Sequence, residues 1–127
     1  MALFNCKNTK SGGMTETKLW TNPTPAQQMV ATTITLSDDM DNYDFIAVEY
    51  AVNYNTLTNV NRAYIRVSDL KNTGNTAAKP QGSLSYYTTA YAVRPFWYIS
   101  DTSIRFGAGL LNNNTDIPLY VYGVKIG

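Results

Sequence analysis

Apolar and polar side chains alternate in short runs along most of this chain, and the clearest run is Tyr43 to Tyr54, YDFIAVEYAVNY. Ile46, Val48, Tyr50, Val52 and Tyr54 share one parity, and Phe45, Ala47, Glu49, Ala51 and Asn53 share the other. Side chains of a strand alternate between its two faces, so the first set predicts a core face. Glu49 places a charge on the second, which predicts a face turned to water or to a partner subunit. The segment is expected to be a central strand of a sandwich or barrel.

Similar runs lie on both sides of it. Thr15 to Thr21, TETKLWT, predicts a short strand closed by Asn22-Pro23-Thr24-Pro25, where two prolines force an extended turn. Gln28 to Leu36 resumes the alternation, with Val30, Thr32, Ile34 and Leu36 on one side. Asn55 to Asn61 reads as a polar turn, and Arg62 to Asp69 as a strand with Ala63, Ile65 and Val67 inward and Tyr64 and Arg66 outward. Leu84 to Ile99 is too long for one flat strand and is expected to break near Arg94-Pro95, as a bend or an edge bulge. Ile104 to Phe106 and Leu119 to Lys125 complete the set, and no amphipathic helix is evident. Seven to eight short strands separated by turn clusters predict an all-β fold, an antiparallel β-sandwich of jelly-roll type.

Between the strands, Ser37 to Asn42, SDDMDN, is the densest acidic stretch. Asp38, Asp39, Asp41 and Asp44 invite a calcium-loop reading, but the spacing puts Asp44 where such a loop needs glycine. A capped single helical turn leading into the central strand is the better expectation. Lys71 to Ser83 forms a long loop without periodicity, the kind that often carries function. Met1 to Gly13 reads as a flexible N-terminal arm, leaving 14–127 as a single domain.

Composition narrows the chemistry. Charged residues are 15% of the chain, against ~25% in average domains, so the polar surface is largely neutral Asn, Thr, Ser and Tyr. Ten basic residues face nine acidic ones without runs, so neither a nucleic-acid partner nor membrane insertion is expected. No stretch approaches the ~20 apolar residues of a spanning helix, and the N-terminus does not read as a secretory signal. Cys6 is the only cysteine, which rules out an intrachain disulfide.

Histidine is absent, so no Ser-His-Asp or Cys-His arrangement is possible and a zinc site would need carboxylates alone. No cofactor or metal is expected. Glu16 and Glu49, the only two glutamates, are the remaining route to a carboxylate glycosidase. Nothing in their spacing brings them together, and the chain is read as a non-enzyme. Asp101, in SDTS, is expected to cap its turn, and Asp116 is placed in another turn. Tyrosine accounts for ten residues, and a flat ring with a polar tip suits sugar faces and subunit interfaces. Most of these rings are expected to fill the core. Tyr64, Tyr86 or Tyr87, and Tyr91 fall off the core parity. The candidate ligand contacts are Tyr86, Tyr87 and Tyr91, with loop residues Asn72 and Asn75.

Several stretches resemble a short domain of tailed-bacteriophage and prophage structural proteins. They are TKLWTNPTP (Thr17 to Pro25) with TITLSDDMDNYDFIAVEY, then YISDTSIRFGAG (Tyr98 to Gly109), then the closing NNNTDIPLYVYGVKIG. That group shows an LWTN-like opening, a Tyr-Asp-hydrophobic strand, a V-S-D-T-x-I-x-F hairpin and an I-P-x-x-I-Y-G-I-K ending. The resemblance implies a trimeric β-sandwich like the C-terminal modules of tail-fibre, baseplate or head-fibre proteins. It implies a virion protein made in the bacterial host cytoplasm, with other virion proteins and a host-surface glycan or receptor as partners. It transfers no functional residue. The chain lacks a fibrous stalk, which keeps open a capsid decoration or head-fibre protein anchored by its arm. A carbohydrate-binding module is the third alternative.

Overall fold

The structure, a computed structural model, describes residues 13–72, 82–87 and 91–127, Tyr87 by its backbone alone. Two four-stranded antiparallel sheets face each other. The first runs β1 (Met14–Thr21), β8 (Thr115–Ile126), β3 (Phe45–Asn53), β4 (Thr56–Arg66), and the second runs β2 (Thr32–Thr35), β7 (Ser103–Phe106), β6 (Tyr91–Ser100), β5 (Gly82–Tyr87). The all-β sandwich and its eight strands match the expectation. The order is distinctive: β3 and β4, and likewise β5, β6 and β7, are sequence neighbours within one sheet, while the pairs β1–β8, β8–β3 and β2–β7 join distant parts of the chain. This order does not by itself establish a jelly roll, since β3–β4, β5–β6 and β6–β7 stay within one sheet while the other connections change sheet.

The inward parities meet as predicted. Ile46, Val48 and Tyr50 of β3 pack with Phe96 of β6, Ile104 and Phe106 of β7 and Val121 of β8. At the charged end of the sandwich the chain enters β3 through a 3₁₀ turn, Met40–Asn42, capped by Asp39, whose carboxylate accepts from the Asp41 amide at 2.8 Å. This is the capped turn expected of SDDMDN. Asp38 accepts from the Tyr43 hydroxyl at 2.8 Å, and that bond holds its carboxyl below the usual range.

Four boundaries differ from the sequence reading. The polar stretch Asn55 to Asn61 is mostly strand: the turn is only Tyr54–Asn55, tightened by the Asn53 side chain accepting from the Asn55 amide, and β4 starts at Thr56. As an edge strand exposed along much of its length, β4 does not need an apolar face throughout. The strand expected to reach Asp69 ends at Arg66, and Val67–Asn72 form the one-and-a-half-turn helix α1, which buries Val67 and Leu70 three residues apart. Strand β2 is only Thr32–Thr35, and Val30, ahead of it, is exposed.

Strand β6 runs unbroken through Pro95, and the stretch expected to break there is divided between β5 and β6. Proline is tolerated there because β7 has already ended: Phe96 is the last residue paired with it, opposite Phe106, and beyond that the Pro95 carbonyl accepts from the Gly107 amide at 2.8 Å. The Met1 to Gly13 arm, apart from Gly13, and most of the Lys71 to Ser83 loop lie outside the described residues.

Candidate recognition surface

The outer face of the first sheet carries a row of aromatic and charged side chains. Register fixes it: Glu49 lies opposite Arg62 on β4 and Tyr120 on β8, and Ala47 lies opposite Tyr64 and Tyr122. Lys18 on β1 lies opposite Tyr122. The second parity of the central strand therefore faces outward, as Glu49 predicted.

Arg62 organises this face. Its Nε donates to Glu49 Oε1 at 3.1 Å, and its Nη1 reaches over β3 and β8 to Glu16 Oε2 on β1 at 2.6 Å. Nη1 also donates to the Tyr64 hydroxyl at 3.2 Å, and the guanidinium lies 4.5 Å from the Tyr122 ring centre. The Glu16 bond, then the Tyr64 bond, raise its pKa well above the ordinary value. Lys18 Nζ sits 4.1 Å from the Tyr120 ring centre and has no ion pair among the described residues. Tyr64 is 53% exposed.

The chain's only two glutamates thus meet on one arginine, a meeting their sequence positions did not signal. A glycosidase keeps the scissile bond between its two carboxylates, and here the guanidinium fills that space.

At one end of this face lies a cavity of about 290 Å³. Leu57, Val60 and Leu119 give it an apolar lining, Tyr120 and Glu49 form part of its wall, and Thr21 stands at its rim. Beneath it is a small apolar cluster of Ala51, Ile117 and Leu119, separate from the main core. Two irregularities in register create it: β8 skips Leu119 between the partners of Glu49 and Tyr50, and the β3–β4 pairing shifts between Ala51 and Asn53. Such bulges re-aim side chains and bend the strand.

Of the sequence-predicted contacts, the described ones lie in two separate places. Tyr91, 62% exposed, and part-buried Tyr86 stand at the β5–β6 hairpin, where Tyr87 pairs with Tyr91 through the backbone. Asn72 ends α1, whose Lys71 bonds Asp101 beyond the far end of β6. The ten residues of β6 separate the two groups, about 30 Å at ~3.3 Å per residue. Asn75 and the Tyr87 side chain lie outside the described residues.

Asp101 does not cap its turn. Its carboxylate accepts from Lys71 Nζ and from the Tyr98 hydroxyl, each at 2.8 Å, and the Ser100 hydroxyl accepts from the Thr102 amide at 3.3 Å instead. The lysine, then the tyrosine, hold the Asp101 carboxyl below its usual range. Asp39, Asp41 and Asp101 bring carboxylate oxygens within 4.8 Å of one another. Lys71 Nζ already sits among them, 2.6 Å from Asp41, so a metal ion would have to displace it.

No protein-family model matches the chain, and no curated protein matches it significantly. The phage resemblance therefore rests on its quoted motifs, and the functional reading on the surface just described. Sequence reasoning passed over Tyr120 and Tyr122, the two rings central to that surface. Their signal is the alternation in LYVYGVK, where they share the parity opposite Leu119 and Val121.

Proposed function

We propose that this chain is a non-enzymatic bacteriophage virion protein, an oligomeric β-sandwich that engages a glycan or receptor on the host surface. The observation that carries the reading is the outer face of the first sheet. Tyr64, Tyr120 and Tyr122 lie there beside an ion pair network, and Lys18, stacked on Tyr120 and without an ion pair among the described residues, stands at its edge. Aromatic rings with fixed polar neighbours are the equipment of recognition surfaces, since they supply contact area at small entropic cost. The phage-like motifs supply the context. Gly13 lies at the end of β1 opposite Thr21 and the cavity, which suits attachment to other virion proteins at one end and recognition at the other.

The test is adsorption of fluorescently labelled purified protein to host cells, compared with a Tyr64→Ala/Tyr122→Ala variant. Saturable binding that falls at least tenfold in the variant, with an unchanged circular dichroism spectrum, is the expected result. Equal binding by both proteins, or none by the parent at high avidity, would overturn the assignment.

A further inference from the structure

Resting on the recognition reading, we propose that the cavity beside Tyr120 is the subsite for one uncharged hexose at the end of the recognised glycan. Its size sets the first limit: about 290 Å³ lies at the bottom of the range of small-molecule sites, roughly 300–1,000 Å³. One sugar ring fits, and a buried oligosaccharide does not.

The lining sets the rest. Glu49 Oε1 is held by Arg62 Nε at 3.1 Å, which fixes the carboxylate's orientation, while Oε2 accepts no hydrogen bond among the described residues. An ionised carboxylate oxygen is an acceptor only, and it forms short, strong bonds to hydroxyl donors. The occupant must therefore present hydroxyl hydrogens on one edge. Pro25, Leu57, Val60, Leu119 and Tyr120 offer apolar contact that matches the C–H face of a pyranose, and Thr21 and Asn22 add polar groups to the lining. Arg62 is shared between Glu16 and Glu49, and Lys18 Nζ stands 4.1 Å from the Tyr120 ring centre, so the charges around the pocket balance and favour a neutral occupant. A uronic acid, sulfate or phosphate group would meet the Glu49 carboxylate on the edge that accepts hydroxyls. Leu119, which lines the pocket, packs with Ala51 and Ile117 in the small apolar cluster.

The experiment is an amide-resolved NMR titration of the full chain with methyl glucoside, methyl galactoside, methyl mannoside, N-acetylglucosamine and, as charged control, methyl glucuronide. At least one neutral hexoside should shift the Glu49, Leu57 and Tyr120 amides saturably, with millimolar Kd, and the glucuronide should bind at least tenfold more weakly. Thr21→Trp places a ring at the exposed rim of the pocket, where strand geometry welcomes an aromatic, and should abolish the shifts. Glu49→Gln should weaken them at least tenfold.

Absence of any saturable shift, unchanged binding in Thr21→Trp, or equal affinity for the glucuronide would overturn the subsite. Cell adsorption separates this from the wider reading. Adsorption that survives Thr21→Trp removes the subsite and leaves host recognition standing. Hexoside binding at the pocket with no adsorption to cells removes host recognition and leaves the subsite.

Discussion

Arg94 directs none of its hydrogen bonds to a carboxylate. Fully buried, it donates from Nε to the Asp116 carbonyl at 2.8 Å, from Nη1 to those of Met29 and Gly107 at 2.9 Å, and from Nη2 to Thr115 and Asn113 at 3.1 and 3.4 Å. Burial pulls the guanidinium down to about 10, still protonated at neutral pH. Arg94→Met should cost about 3–5 kcal/mol in urea denaturation, since it orphans several buried carbonyls at once. Arg94→Lys should recover little, because an ammonium offers three donors and no planar fork.

Beside it, the Asp116 carboxylate is buried with both oxygens unpaired, on a backbone with φ of 52°. Desolvation raises its pKa from 3.8 to about 7, against the pull of Arg94. The unfolded chain releases this proton first, so Asp116 should make stability fall as pH rises from about 4 to about 7, and add no slope above that. Asp116→Asn, a residue that accepts positive φ, should remove this slope and stabilise the protein at pH 8; melting curves from pH 4 to 8 would show it. In the sequence Arg94 was legible as part of an expected bend or edge bulge at Arg94-Pro95, and the structure instead buries it between Ala92 and Phe96 in β6. The burial of Asp116 was not legible, because NNNTD reads as an exposed turn and only its packing against the second sheet removes it from water.

Strand β8 holds the first sheet together, pairing with β1 on one side and β3 on the other. Gly123 within it faces the Tyr43 ring so closely that a Cβ there would lie 2.5 Å from Tyr43 Cγ. Gly123→Ala should cost about 1–3 kcal/mol by overpacking, measurable as a lower denaturation midpoint with unchanged slope. The alternation of LYVYGVK predicted this strand, but its start at Thr115 was hidden by Pro118, which usually signals a loop. The register slip at Leu119 beside that proline sets the pocket's lining, and a slip depends on the partner strand. Helix α1 was hidden for a related reason: six residues carry too little periodicity to distinguish VSDLKN from a strand ending, and burial of Leu70 decides it.

The molecule as a whole closes on itself between its ends, since Met14 pairs with Ile126. Forming that pair requires nearly the entire chain to be looped, so folding should be slow for the size, with a stopped-flow relaxation of milliseconds to seconds. A microsecond phase carrying the full amplitude would contradict the topology. What the amino-acid sequence determined alone is the layer structure: a period of two sorts residues to two faces, and turn residues mark most of the breaks. It also determined the outward placement of Glu49 and Tyr64, because a charge or a polar ring on the minor parity has only one comfortable side. The tertiary structure decided which strands neighbour one another, that Glu16 and Glu49 share Arg62, and that Tyr120 borders a cavity. Those facts join residues far apart in the chain, and alternation fixes the face a side chain takes but leaves open which strand lies beside it.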